Sequence, residues 1–141
     1  MLACLAGLFA AGYPTLLSGF GQVQGGAGDP LLVNFTLEHC HRWLANLPLA
    51  GDFWSPPIFH PVGDVATYTD LMLGTAPLYL PWRWAGFDPY TAYQLWMLGC
   101  WAFNFTACFF LLAKGLRVSS CAASAGAALF AFGSPRMANI M

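Results

Sequence analysis

The sequence predicts an all-α fold: a polytopic bundle of transmembrane helices, with about four spans joined by one long extracytoplasmic loop that holds an amphipathic helix at the membrane interface. Three observations predict it. Charged residues make up only 8% of the chain and hydrophobic residues 58%, whereas a soluble domain carries about 25% charged residues to cover its surface. The apolar residues come in long blocks rather than in the half-buried periodicity of a globular core. Between the first two blocks, residues 21–70 are rich in glycine, proline and aromatic rings and hold most of the ionisable groups.

The first block, residues 2–20, is long enough to cross a hydrocarbon core of ~30 Å at about 1.5 Å per residue. A secretory signal peptide is the competing reading, but no Lys or Arg precedes the apolar run and Tyr13-Pro14 interrupts it. The loop 21–70 follows, opening on a glycine-rich stretch. Asp29-Pro30 then starts a helix, the carboxylate capping free N–H groups and the proline tolerated in the first turn. Val33, Leu37, Cys40, Leu44 and Leu47 recur at intervals of three and four, with Asn34, Glu38 and Arg42 on another face. Pro48 ends this helix, and the proline-rich run from Gly51 to Gly63 predicts an ordered aromatic loop.

The second block, residues 71–87, is capped by Thr69 or Asp70 and ends in Pro81-Trp82-Arg83-Trp84, an aromatic and cationic cluster of the kind found at membrane boundaries. The third, residues 91–113, has both ends signalled, by Asp88-Pro89 and by Lys114-Gly115. The fourth, residues 119–133, is built from Ser, Ala and Gly. Either Ala122 with Gly126 or Ala123 with Ala127 would form a close-packing face. The distribution of Lys and Arg does not choose between the two orientations of these spans. With no polar tail after Arg136, the chain reads as the N-terminal part of a longer transmembrane domain, whose remaining helices would be its partners.

Composition also excludes functions. The formal charge is −1 and the five Lys and Arg are scattered, so no basic stripe could follow a phosphate backbone, and nucleic acid is excluded as a partner. The five cysteines (Cys4, Cys40, Cys100, Cys108, Cys121) are odd in number and lack CxxC spacing, which indicates neither a disulfide framework nor a zinc site. Glu38-His39-Cys40-His41 has metal-ligating residue types. On a helix, however, Glu38 pairs with Arg42 at i, i+4 and the two histidines face apart, so no metal or other cofactor is expected.

Candidate chemistry gathers in the loop. Asp29, just beyond the first span, has the position of a general base acting on an acceptor hydroxyl or amine, with helix capping as the alternative role. Asp70 is read the same two ways. His60 and Arg42 could offset the charge of a phosphate. Tyr68, with Trp54 and Phe59, could stack on a sugar face, and Glu38 would be a supporting polar group.

The order of these features resembles a known family. Gly28-Asp29-Pro30, Leu37-Glu38-His39, Arg42-Trp43-Leu44, Phe53-Trp54-Ser55-Pro56-Pro57-Ile58-Phe59-His60-Pro61, Tyr68-Thr69-Asp70, Ala92-Tyr93-Gln94-Leu95-Trp96 and Phe130-Ala131-Phe132-Gly133-Ser134-Pro135-Arg136 follow one another as in bacterial multi-spanning proteins related to the GT-C superfamily of polyprenyl-phosphate-sugar-dependent glycosyltransferases. The resemblance covers nearly the whole chain as a pattern rather than a strict motif. It implies a multi-pass protein of the bacterial cytoplasmic membrane, in contact with membrane lipid, that transfers a sugar from a polyprenyl-phosphate donor to an extracytoplasmic acceptor. It also implies an acid after the first span that serves the acceptor or donor. Asp29 matches that position, although Pro30 stands where the paired form has a second acid. The alternative from another class is a non-catalytic membrane protein that binds or transports a lipid-linked glycan.

Overall fold

The structure, a computed structural model, describes residues 2–24, 28–48, 50–59 and 61–133. Five α-helices follow one another, with no strand among the described residues: α1 Leu2–Leu17, α2 Asp29–Leu44, α3 Ala76–Trp84, α4 Pro89–Phe110 and α5 Ser120–Phe132. A 3₁₀ turn, Val65–Tyr68, precedes α3, and a π turn, Leu111–Gly115, continues α4. The chain divides into two compact units, one of residues 1–26 and 94–141 and the other of residues 27–93.

The all-α expectation holds, while the span count changes. Among the described residues, Pro89–Gly115 is the one helix long and apolar enough to cross a membrane, 27 residues at a mean hydropathy of 1.7, which is about 40 Å of helix. α1 and α5 are apolar but shorter, 16 and 13 residues. The block 71–87 is not a spanning helix. Residues 71–75 turn, with Met72 in the left-handed region, and the nine residues of α3 rise only about 13 Å. Neither Thr69 nor Asp70 caps α3, because the residue before its first turn is Thr75.

In the first unit the helices pack through small residues. Ala123, Ala127 and Ala131, one turn apart on α5, are fully or almost fully buried, so of the two faces predicted the Ala123 and Ala127 register is the one used. Ala127 and Ala131 meet Phe105 of α4, with Ala3, Cys4 and Phe132 packed around them. The closeness of approach requires glycine at Gly7, where a Cβ would lie 2.3 Å from the Phe132 ring. The large apolar residues face out: Leu2, Leu5, Phe9, Tyr13 and Leu17 form an uncovered stripe along α1, and Leu129 and Phe130 do so on α5. α1 runs through Pro14 and ends at Leu17, three residues short of the predicted block 2–20. The segment after it folds back on α1, where buried Gln24 donates from Nε2 to the Ala11 carbonyl and Thr15 Oγ1 donates to the Gln22 carbonyl.

In the second unit α2 packs on α3. α2 starts at Asp29 as predicted, but Gly28 holds the cap position without a side-chain bond, so the Asp29 carboxylate is not the cap. Its end is set by Asn46, in the left-handed region, with Asn46 N–H donating to the Trp43 carbonyl and Leu47 N–H to the Arg42 carbonyl. That pair of bonds is the Schellman closure, and Pro48 follows it rather than causing it. α3 closes the same way through Gly86, at φ 92°. Asp88-Pro89 is the pair that does cap: Asp88 Oδ1 accepts from the Tyr90 and Thr91 backbone N–H groups. The proline-rich stretch is held to α2 by Phe53, buried against His39 and Trp43. It is tied to the 3₁₀ turn by the bond from Ala66 N–H to the Trp54 carbonyl.

Candidate functional site

Glu38 is the centre of the polar chemistry in the second unit. Its Oε2 accepts from Arg83 Nε at 2.7 Å and from the Tyr79 hydroxyl at 2.9 Å. Its Oε1 accepts from Arg83 Nη2 at 3.1 Å and, more weakly, from Arg42 Nε at 3.4 Å. The i, i+4 pair with Arg42 is therefore present, but it is the weakest of the four bonds. Arg83 engages Glu38 side-on through two nitrogens, and its third, Nη1, donates to the Phe87 carbonyl. A charge-assisted fork of this kind is stronger and more directional than a hydrogen bond between neutral groups.

The network fixes the protonation states. Burial by itself would raise the Glu38 carboxyl, but the Arg83 and Tyr79 hydrogen bonds and the nearby positive charges outweigh it, and the group lies below the usual carboxylate range. Arg83 is held protonated by its bond to Glu38. Burial pushes the Tyr79 hydroxyl well up, and the Glu38 charge pushes it further. His41 lies with Nδ1 3.7 Å from Glu38 Oε2, yet burial dominates and keeps its ring below the ordinary histidine value, hence neutral near pH 7. With every acceptor position filled, Glu38 is a clamp between α2 and α3 and has no lone pair left for a base.

His39, its neighbour, is committed differently. Its Nε2 lies 3.0 Å from the Phe53 carbonyl, which can only accept, so Nε2 carries the proton. The ring is stacked between Phe35 and Phe53. Cys40 is buried, its thiol raised by that burial, with Sγ 3.8 Å from the Leu71 carbonyl. The side chains of the Glu38-His39-Cys40-His41 run thus have separate partners. Among the described residues no three His, Cys, Asp or Glu side chains gather where a metal ion could be held.

Beside the clamp is a recess of about 310 Å³ lined by Phe35, Glu38, His39, Arg42, Pro57 and Pro89. Arg42 stands at it half-exposed, with 45% of its side chain accessible. Pro89 is the first residue of α4, the membrane-length helix.

Of the described residues singled out in the sequence, Glu38 and Arg42 come together here, while Asp29, Tyr68 and Asp70 do not. Asp29 is exposed at the first turn of α2, nine residues before Glu38 and so about 13 Å away along the axis. Tyr68, 82% exposed at the end of the 3₁₀ turn, makes no ring contact among the described residues. Asp70 is exposed on the segment before α3. His60 lies outside the described residues. Sequence reasoning missed Tyr79 and Arg83. A signal was present: an arginine inside an apolar block needs a carboxylate when it is buried, and Tyr79 and Arg83 share a face at i, i+4.

Comparison of this chain with protein-family models, with curated proteins and with solved structures finds no match.

Proposed function

We propose that this chain is the N-terminal part of a multi-pass membrane glycosyltransferase of GT-C type, which moves a sugar from a polyprenyl-phosphate donor to an acceptor outside the cytoplasmic membrane. The observation that carries the reading is the position of the recess. A ring-lined hollow with an arginine at its edge has for one wall the first residue of the membrane-length helix, where a lipid-borne head group would meet water. The outward-facing Leu and Phe residues of α1 and α5, with small residues inside, support the membrane location, because this reverses what a water-facing helix pair needs. The remaining helices of a longer bundle would complete the enclosure of the donor.

Asp29 is the base in this reading, since its exposed carboxylate is open to an acceptor while Glu38 is saturated with donors. The test is sugar transfer by the full-length protein in lipid, with Asp29→Asn beside the wild type. Loss of transfer by about 100-fold or more, with donor binding retained, is expected of a general base. An unchanged rate removes Asp29 from catalysis.

A second reading, a non-catalytic membrane protein that binds or transports a lipid-linked glycan, is favoured by one observation. Asp29 stands about 9 Å along α2 from Phe35, the nearest wall of the recess on that helix, and is not among the residues that line it, so base and head-group hollow are not one site within this unit. Donor binding by the full-length protein without any transfer would select it.

A further inference from the structure

We infer that two copies of this chain pair along α4, through a seam of that helix in which the Asn104 amides of both copies hydrogen-bond to each other. The inference rests on the membrane location proposed above and on no other part of that proposal.

The case begins with a polar side chain at a depth where water cannot serve it. Asn104 lies 15 residues after Pro89 and 11 before Gly115, the two ends of the membrane-length helix. In a bilayer that the helix crosses evenly, it stands about 3 Å from the midplane. Two other polar side chains of α4 are provided for within the first unit: Thr106 Oγ1 donates to the Ala102 carbonyl one turn back, and Gln94 Nε2 donates to the Phe20 carbonyl. The Asn104 side chain is partly buried and has no hydrogen-bond partner among the described residues. Hydrocarbon offers neither donor nor acceptor, so the amide finds its partner on another helix.

The seam follows from the spacing. Cys100, Asn104, Ala107 and Leu111 recur at intervals of four, three and four, the repeat of a helix that packs lengthwise on another. They lie about a quarter turn round the helix from Trp101 and Phe105, which are buried. Ala107 and Leu111 are exposed and Cys100 and Asn104 only partly covered, so the described helices do not fill the seam. Cys100 and Ala107 are small enough to let two backbones approach.

The occupant follows from symmetry. Copies of one membrane protein share one orientation across the bilayer, so identical residues stand at identical depth. When two α4 helices lie side by side, Asn104 of one copy therefore meets Asn104 of the other. An amide is both donor and acceptor, and each can donate from Nδ2 to the Oδ1 of its counterpart. A different helix would serve only if it carried its own polar group at this depth. A single asparagine at such a position also fixes the register of the pair.

The test uses the full chain in lipid vesicles, with its own cysteines as reporters. Cys100 is one turn before Asn104 on the seam, whereas Cys108 packs against the Phe105 core and Cys121 is on α5. Oxidation by dioxygen with copper phenanthroline is expected to give a covalent dimer that Cys100→Ser abolishes and that Cys108→Ser and Cys121→Ser retain. Association is then followed by energy transfer between fluorophore-labelled copies as lipid is added. Asn104→Leu is expected to weaken it about tenfold, the effect of losing interhelical hydrogen bonds. Asn104→Gln, which keeps the amide, weakens it less. The leucine variant carries the sign of the test, because leucine packs well along such a seam, and pairing through apolar packing alone would be kept or strengthened. Unchanged maleimide labelling of Cys108 checks that each variant keeps its fold.

A cross-link through Cys100, with association weakened in Asn104→Leu, supports the pair. A chain that stays monomeric overturns it, as do a leucine variant that associates as well as the wild type and a covalent dimer that survives Cys100→Ser. Alkaline carbonate separates this failure from that of the membrane location. A monomer that resists extraction overturns the pairing alone, and a chain released into the aqueous phase overturns both.

Discussion

The two units of this molecule solve the problem of cohesion in opposite ways. Residues 27–93 hold all six carboxylates and two arginines, a formal charge of −4, while the other unit has no carboxylate and three cations. The first of these is joined by a charged clamp in which one glutamate receives two arginines and a tyrosine from a second helix and its own. The second is joined by alanine and glycine surfaces brought close together, and it turns its leucines and phenylalanines outward. A helix pair that hides its small residues and shows its large apolar ones gains from close backbone packing, and it needs another apolar phase to cover the rest. A charged clamp works in the reverse sense, since it holds only while every partner is present.

That contrast can be broken at either end, and the free cysteines report which unit opens. Cys40 is buried in the clamp unit, while Cys4 and Cys108 lie in the other. The largest effect is expected from Arg83→Ala, which leaves Glu38 covered, with 14% of its side chain accessible, and without its main counter-charge. A destabilisation of about 3 kcal/mol follows for a pair of this type. It should appear as faster maleimide labelling of Cys40, with Cys4 and Cys108 unaffected. Ala127→Leu should do the reverse. Ala127 is fully buried against Phe105, and the added methylenes cost about 2 kcal/mol through overpacking. Cys108 then labels faster and Cys40 does not. If either substitution opened both cysteine sets together, the two units would be one cooperative body.

The same contrast governed what could be read from the chain. Helix positions followed from punctuation that acts locally: Asp88-Pro89 at the start of α4 and Asp29-Pro30 in the first turn of α2. The close-packing face of α5 was narrowed to two registers because small residues at i, i+4 have a simple geometric use. The block 71–87 was misread because hydropathy counts residues and takes no account of the turn at 72–75, which shortens the helix to nine. The site was half legible. Glu38 and Arg42 share one helix, and their spacing alone pairs them. Tyr79 and Arg83 lie 41 and 45 residues further on, and no local rule connects a residue to a partner at that distance. Arg83 resembled a boundary cation for the same reason: its aromatic neighbours were visible in the sequence and its carboxylate was not.

Acidification sharpens the comparison further, because the two clamp groups held below their ordinary protonation range, His41 and Glu38, sit in one unit. The folded values of His41 and Glu38 are both below their ordinary values of 6.5 and 4.5. In each case the unfolded chain binds more protons over the intervening range, so stability rises with pH there. The His41 contribution is complete above pH 6.5 and is lost as pH falls below it; the Glu38 contribution is complete above pH 4.5 and is lost as pH falls further. Labelling of Cys40 should therefore accelerate in two stages on acidification, at fixed thiolate fraction, while Cys108 follows neither. His41→Gln should remove the upper stage only. A single stage in that variant at the upper pH would assign the transition to another group.

The smallest effect expected is at the junction where α4 begins. Asp88 Oδ1 accepts from two backbone N–H groups of the first turn. Its carboxyl is lowered chiefly by the hydrogen bond from Thr91, against a small opposing effect of burial. The group is largely exposed, so solvent screens its charge and the cap bonds themselves set the energy. Asp88→Ala should cost about 1 kcal/mol, and Asp88→Asn, which keeps an acceptor, less. Amide exchange at Tyr90 and Thr91 should rise in the alanine variant, with the clamp unchanged by Cys40 labelling. Asp29→Ala supplies the contrast within one chain. It is the same Asp-Pro dipeptide at a helix start, but without a side-chain cap bond, so helix stability should scarcely change. An equal loss at both positions would mean that Asp-Pro stabilises these starts through charge near the helix end and not through the bonds that only Asp88 makes.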